Sequence, residues 1–544
     1  MSRLLVTVAA VTLAASLAAP AEAARYAVGL LPGADRASVR AQLERRSGAA
    51  VEDLAPLPAL LVRSGSAHRL RVRGVRYVER LGARALAYVP TDPFVVRQWY
   101  LTQNRAYDAW TEQPGLDAVR VAVIDSGVDA EHPELAGRIG EARSFVGGSA
   151  DDVQGHGTIV AGIIAANTGN DVGIAGLAPS AELLVAKVVT ARRTIPVEAE
   201  AKAIRWAVEQ GARVINMSLG GLRDPRNPER DTFSRLEADA IAYAVSKKVL
   251  VVAAVGNSDQ APSRPWPYAS YPAALPHVLG VSAVARDGSS PTFSNRDAIF
   301  NDLAAPGEDV LSLFPRALTV ERPGCVEQGY TPCATEEFRA PEGTSFAAPQ
   351  VSAAAANLIA TRPSLRPDQV STILQRTAVD ANPANGCRPC GLRRDPLTGW
   401  GRLDAAAALA QLTGQLPAAD AFEANDEAGE KAHPLYGPRR AVKATLDYWD
   451  DQDDVYRVYA RRGDRLFVSL TGPTGESASL GLWEPGTEEV TGLVNVSRRL
   501  RLRASPNRTE YLTHLARQTG WYVVHVHLVT EGAGQYRLFV QKTR

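Results

Sequence analysis

A serine hydroxyl is a weak nucleophile until a neighbouring base takes its proton, and that base needs an acid to hold its tautomer. Three stretches of the 544-residue chain hold one residue type for each role. "VAVIDSGVD" carries an apolar run into Asp125, and "QGHGTIVAGIIAA" sets His156 between two glycines at the head of an apolar helical stretch. "APEGTSFAAPQVSAAAANLIA" places Ser345 where a long small-residue helix begins. There, unpaired N–H groups and the helix dipole favour developing negative charge. Pro349 falls about one turn in, where its missing donor is expected to cost little. Taken singly, each has another reading: a loop-capping Asp, a structural His, a Ser N-cap. Together they supply acid, base and nucleophile, each at an element end.

The elements that must hold them follow from hydrophobic pattern. "VRVAVID", "AELLVAKVV", "ARVINMSLG", "VLVVAAVGN" and "HVLGVSAV" are near-continuous apolar, β-branched runs alternating with Ala-rich helical stretches. Such runs predict an α/β domain with a parallel sheet covered on both faces. Functional residues of open parallel sheets collect at the carboxyl ends of the strands, where Asp125 falls.

"VAVIDSGVD", "GHGTIVAGIIAA", "VVAAVGN", "FSN", "LAAPGEDVLS" and "GTSFAAPQV" resemble, in order, the successive motifs of subtilisin-family serine proteases over roughly residues 95 to 412. The resemblance implies Asp125 as orienting acid, His156 as general base and acid, Ser345 as nucleophile and Asn257 as oxyanion donor. It implies that Ser218, Leu219 and Gly220 pair with an extended peptide as an added strand, and that Ala254 and Gly256 line the S1 pocket. Ser270, where the family often has Gly, implies a shallower pocket suited to small or medium apolar side chains. Phe346 stands where the family commonly has Met, which implies resistance to peroxide, and Gln350 replaces a usual His. The implied protein is a secreted subtilisin-like serine endopeptidase, working through an acyl-enzyme on polypeptide substrates. It is made as a self-processing zymogen, expected as a monomer, with no cofactor required for catalysis. A structural Ca²⁺ is common in the family, but no ligands are assigned from this sequence. The related serine-carboxyl peptidases use Glu for His156 and Asp for Asn257, which argues against that class. A binding protein on the same fold is expected to lack one of the four residues, and none is missing.

The flanks read separately. Residues 1–23 have one Arg, an apolar run and an A-x-A site, the pattern of a secretory signal peptide. Residues 24–90 hold twelve Arg, no Lys and five acids in a small α+β pattern, and resemble the family's inhibitor-type propeptide, which acts as an intramolecular inhibitor. Self-cleavage is expected between Arg84 and Asp92. The catalytic domain is expected over 91–415. Residues 416–544, with alternating strands and Gly-Pro turns, predict a β-sandwich. "FEANDEAGEKAHPL" and "DDQDDVYRVYARRGDRLFVSL" resemble the pre-peptidase C-terminal family. "DYWDDQDD", residues 447–454, is either a Ca²⁺ ligand cluster or a solvated acidic turn.

Bulk properties restrict partners. The net charge of +1 gives no pull toward nucleic acid or membrane surface. Four cysteines in an exported chain suggest two disulfides with three connectivities. The local pairs Cys325–Cys333 and Cys387–Cys390 are expected, with a four-thiolate zinc site as the rival.

Overall fold

The computed structural model describes residues 24–81, 88–110, 118–319, 330–335, 338–414, 416, 422, 425–429, 431–448, 451–473, 476–490, 496–504, 509–530 and 532–544. The chain forms two units, Met1–Leu86 and Ala87–Arg544. In the first, strands β1 (Ala24–Leu30), β2 (Val51–Asp53), β3 (Ala59–Ser64) and β4 (Val75–Arg80) make an antiparallel sheet in the order β2-β3-β1-β4. The helix α1 (Arg36–Ser47) buries Val39 and Leu43 in a core with Val28, Leu60 and Leu70. Asp35 caps its first turn by accepting from Ala37 and Ser38 N–H.

The second unit opens with two short helices, α2 (Trp99–Gln103) and α3 (Ala106–Ala109). A seven-stranded sheet follows, of β5 (Val119–Asp125), β6 (Ile139–Ser144), β7 (Ala181–Lys187), β8 (Val214–Met217), β9 (Leu250–Ala254), β10 (Val278–Val284) and β11 (Leu303–Pro306). Every pairing is parallel, in the order β11-β10-β9-β8-β5-β7-β6. Alternation along a strand sends successive side chains to opposite faces. Val121 and Val123 therefore join one core layer and Ala122 and Ile124 the other. Helices α4 (His156–Ala165) and α7 (Thr344–Thr361) cover the first face, and α5 (Val197–Glu209) and α6 (Arg235–Ser246) the second. The small strands β12 (Ser312–Leu313), β13 (Tyr330–Thr335) and β14 (Phe338–Pro341) form a separate three-stranded sheet ahead of α7. Helices α8 (Pro367–Thr377) and α9 (Ala405–Gln411) complete the body. The doubly covered parallel sheet is the expected α/β fold.

From β5 the chain crosses to the edge strand β6, comes back to β7 between them, then passes to the other side of β5 with β8 and continues to β11. That reversal is a topological switch point, where open parallel sheets bind ligands beyond the carboxyl ends of their strands.

The C-terminal part is a two-sheet sandwich. Strands β15 (His433–Leu435), β16 (Arg439–Asp447), β17 (Asp453–Ala460), β18 (Arg465–Thr471), β19 (Ala478–Trp483), β20 (Arg499–Ala504), β21 (Thr509–Leu515), β22 (Gly520–Leu528) and β23 (Ala533–Thr543) form sheets ordered β15-β17-β22-β19-β20 and β16-β23-β18-β21. Tyr456, Val458, Val524 and Val526 meet Val468, Leu538 and Val540 in the core between the sheets. Among the described residues no helix is long and apolar enough to cross a membrane.

Candidate active site

Asp125 is the last residue of β5 and only 1% exposed. Its carboxylate accepts the N–H of Ser126 at 2.7 Å and faces His156 Nδ1 with both oxygens, at 2.8 and 3.0 Å. His156 is the first residue of α4, so the junction between β5 and that helix is what brings Asp125 and His156 together. Gly157 lets them close: a Cβ there would lie 2.1 Å from the carbonyl oxygen of Gly127.

The start of α4 depends on a residue that sequence reading did not single out, Asp152. One carboxylate oxygen accepts from Ser126 Oγ at 2.9 Å and from the N–H groups of Gln154 and Gly155. The other accepts from the N–H and Oγ1 of Thr158, at 2.9 and 2.8 Å. Ser126 Oγ in turn accepts the N–H of Gly157 at 2.9 Å. These bonds satisfy helix-start donors that have no partner inside the helix. The available signal was an acid four residues ahead of the His.

Burial disfavours an imidazolium, but the charge of Asp125 and its hydrogen bonds, with a smaller contribution from Asp152, outweigh it; the His156 pKa is raised above its ordinary value.

Ser345 is the second residue of α7, after Thr344, with Gly343 as N-cap. Its hydroxyl donates to the Ser218 carbonyl at 3.2 Å. An N-cap side chain accepts from the helix instead, so the capping reading is corrected. The expectation for Pro349 also needs correction. Pro349 lies beyond the first turn, so Ser345 O lacks its intrahelical donor; Ser218 Oγ supplies one at 2.7 Å. Asn216 Nδ2 donates to Ser218 Oγ at 3.0 Å, and Ser352 Oγ to Asn216 Oδ1 at 2.8 Å. The Phe346 ring beside Ser345 packs 5.3 Å, centroid to centroid, from the imidazole of His156, which ties the Ser345 turn to the Asp125–His156 pair.

Asn257 follows β9. Its Oδ1 accepts the N–H and Oγ1 of Thr344, both at 3.0 Å. A backbone N–H can only donate, so the amide oxygen faces Thr344 and Nδ2 lies toward Gly343, 3.2 Å from where a Cβ there would stand.

Ser218, Leu219, Gly220, Ala254, Gly256, Asn257, Ser270 and Ser345 line one cavity of about 200 Å³, so the residues expected to bind substrate do gather around Ser345. Asp259 joins the same lining, a residue sequence reading passed over. Gly256 has φ +94°, and a Cβ would lie 2.2 Å from Ser270 Oγ, so a side chain there would close the pocket. Asn295, the last residue of "FSN", donates to Val255 O at 3.1 Å and Ser270 Oγ at 3.2 Å, holding that wall. Gln350 is fully buried; it donates to Pro306 O and Phe346 O and accepts from Asn104 Nδ2 at 2.6 Å. It ties α7 to the segment before α3 through Asn104.

Other expectations fall outside the Ser345 crevice. Tyr88, within the expected self-cleavage region, packs edge-on to Trp110 at 6.5 Å; residues 82–87 lie outside the described residues. Cys387 and Cys390 stand at disulfide distance with Cα atoms 5.3 Å apart, whereas Cys325 lies outside the described residues. Three described carboxylates of "DYWDDQDD" turn to different partners. Asp447 pairs with Arg376, Asp453 turns to His525 and His527, and Asp454 accepts from Tyr536. These three do not form one oxygen cage of the kind Ca²⁺ takes.

Comparison with known proteins gives the family of the chain. The subtilase family model matches residues 117–401. Thermitase of Thermoactinomyces vulgaris is 33% identical over 279 residues, 51% of this chain and 86% of that protein. The major intracellular serine protease of Bacillus subtilis (strain 168) is 37% identical over 259 residues, 46% and 72% of the two chains. Subtilisin Savinase of Lederbergia lenta is 36% identical over 289 residues, 53% and 93%. With the family model spanning more than half of its length, the chain belongs to the subtilase family of serine endopeptidases.

Proposed function

We propose that the chain is a secreted, self-processing endopeptidase in which Ser345 attacks the scissile carbonyl of an extended polypeptide. His156 Nδ1 carries its proton toward Asp125, which leaves Nε2 as the base. Ser345 Oγ rotates from the Ser218 carbonyl to His156 as substrate enters, gives up its proton and forms a tetrahedral adduct. Asn257 Nδ2 and the N–H of Ser345 at the start of α7 stabilise its oxyanion. His156 then protonates the leaving amine, and water, deprotonated by the same imidazole, releases the acyl group. Ser218, Leu219 and Gly220 offer backbone to the substrate strand, and Ala254, Gly256 and Ser270 bound the side chain before the cut bond. The observation that carries this reading is the two-oxygen grip of Asp125 on His156 Nδ1, which holds the tautomer a base requires.

Residues 1–23 act as the export signal and 24–90 as the inhibitory propeptide, removed by cleavage between Arg84 and Asp92. In the oxidising compartment Cys387 and Cys390 are joined, and Cys325 pairs with Cys333. The product acts as a monomer and needs no cofactor for catalysis.

Intact mass of the secreted chain beside Ser345→Ala, with proteolysis of an unstructured protein, tests this. Wild type is expected to lose its first ninety or so residues and to cut substrate. The variant should do neither, with a loss of ~10⁶ in turnover, a magnitude established on subtilisin. A Ser345→Ala chain that still processes itself and cuts overturns the assignment.

A further inference from the structure

Away from the crevice, three side chains with metal-ligand chemistry meet on the sandwich. Residues two apart on a strand share a face, which puts His525 and His527 of β22 on one side. The antiparallel register sets Asp453 of β17 opposite His527. Residues of the other parity, Tyr456, Val524 and Val526 among them, fill the sandwich core, so the three lie on the outer face of their sheet. His525 Nε2 and His527 Nδ1 lie 2.6 and 2.7 Å from the same oxygen, Asp453 Oδ1. One donor atom from each falls within 4.8 Å of the others.

The backbone under them is held on both sides. Asp454, next in β17, turns inward and accepts from Tyr536 Oη at 2.6 Å and from Asn425. Asn425 O takes the N–H of Val455 at 2.6 Å, and Gln452 O takes that of Leu528 at 2.8 Å. The three groups thus stand on paired strands, β22 being the middle strand of its sheet, where a metal centre is held more accurately than on loops.

Donor chemistry selects the ion. Two imidazoles and a carboxylate suit Zn²⁺ and its first-row neighbours, while hard Ca²⁺ takes six to eight oxygens. We propose that Asp453, His525 and His527 bind a divalent ion of the Zn²⁺ class, with water completing the coordination. On binding, each facing nitrogen presents its lone pair, its proton moving to the other ring nitrogen or to solvent. Asp453 and Gln452 also line a cleft of about 190 Å³ shared with His277, Phe300 and Ser371 of the catalytic body. There His277 Nε2 meets Asp426 at 3.2 Å. The ion therefore ties β17 to β22 beside the protease body, a structural role separate from peptide cleavage.

The test uses the full chain carrying Ser345→Ala, which prevents self-digestion, stripped with chelator and dialysed against ZnCl₂ or CoCl₂. Bound zinc is read by elemental mass spectrometry, cobalt by its visible d–d absorption, and stability by thermal melting. The parent is expected to hold one more equivalent of zinc than the same chain with His525→Ala and His527→Ala, and its melting temperature to rise with zinc where that of the variant does not. His156 and Asp125 are present in both, so metal they attract cancels. Should the double variant fail to fold, His527→Gln, with its side chain 38% exposed, must lose the cobalt band while keeping the parent's circular dichroism. Equal zinc in parent and variant, uptake by neither, or displacement of zinc by equimolar Ca²⁺ would each overturn the proposal.

Discussion

Ser218 and Ser345 exchange two hydrogen bonds: Ser218 Oγ donates to Ser345 O at 2.7 Å, and Ser345 Oγ donates to Ser218 O at 3.2 Å. The first replaces the donor that Pro349 cannot provide one turn further along α7. The second parks the hydroxyl of the proposed nucleophile on the strand end proposed to receive substrate. Ser218→Ala should therefore cost about 1–3 kcal/mol, the range for a buried acceptor left unsatisfied, and lower turnover. Pro349→Ala restores a helical donor to Ser345 O. A double-mutant cycle by urea unfolding in the Ser345→Ala background should show the two changes coupled by roughly 1 kcal/mol; strict additivity would refute the account.

The pKa of His156 is raised, and the imidazole must be neutral to act as a base. Protonation therefore shuts the enzyme off as pH falls through that raised value. The acid limb of kcat/KM should be centred above the ordinary histidine value of about 6.5. Asp125→Asn should lower turnover by about 10⁴-fold by favouring the wrong tautomer, and shift the limb of the residual activity to lower pH. An unmoved limb in the variant counts against Asp125 as its cause.

Glu200 of α5 and Glu237 of α6 face each other buried, 4% and 5% exposed. Burial pushes Glu237 up to about 7 and Glu200 well above the carboxylate range, the latter also through the charge of Glu237. Both folded-state pKa values are raised, so the stabilisation is full below the unfolded carboxylate pKa and is lost as pH climbs through about 7. The free energy of urea unfolding should fall from about pH 5 to about pH 8, with a slope approaching about 1.4 kcal/mol per pH unit for each proton taken up on folding. Glu237→Gln should flatten that slope; a variant as pH-sensitive as its parent would be evidence against the pair.

Ser270 narrows the pocket beneath Gly256. The parent should cut a peptide library after small or medium apolar residues, and Ser270→Gly should shift the preference toward larger ones. Cleavage mainly after bulky aromatics by the parent would show that Ser270 does not limit depth.

Phe346 is buried, 2% exposed, and presents no thioether beside Ser345. Activity should survive mild peroxide, and Phe346→Met should make it peroxide-labile. Loss of the parent's activity with Phe346 unmodified would point to another oxidisable group.

The apolar runs around Asp125 and Asn257 and the small-residue helix after Ser345 are local patterns, which is why the α/β architecture and the main site residues were legible in order along the chain. The parity of β22 likewise puts His525 and His527 on one face from sequence alone. What the tertiary structure decided is nonlocal. Strand order placed the ends of β8 and β9 around one cavity with Ser345, and only that geometry turned Ser345 from a candidate helix cap into a hydroxyl facing Ser218. Register between β17 and β22 brought Asp453 to the two imidazoles, and packing of α7 on β8 let Ser218 replace the donor missing at Pro349. Hydrophobic periodicity states which face of an element is buried; it does not state which element lies against it. Partners far apart in sequence, such as Ser218 and Ser345 or Asp453 and His527, are set by the free energy of the whole packed core.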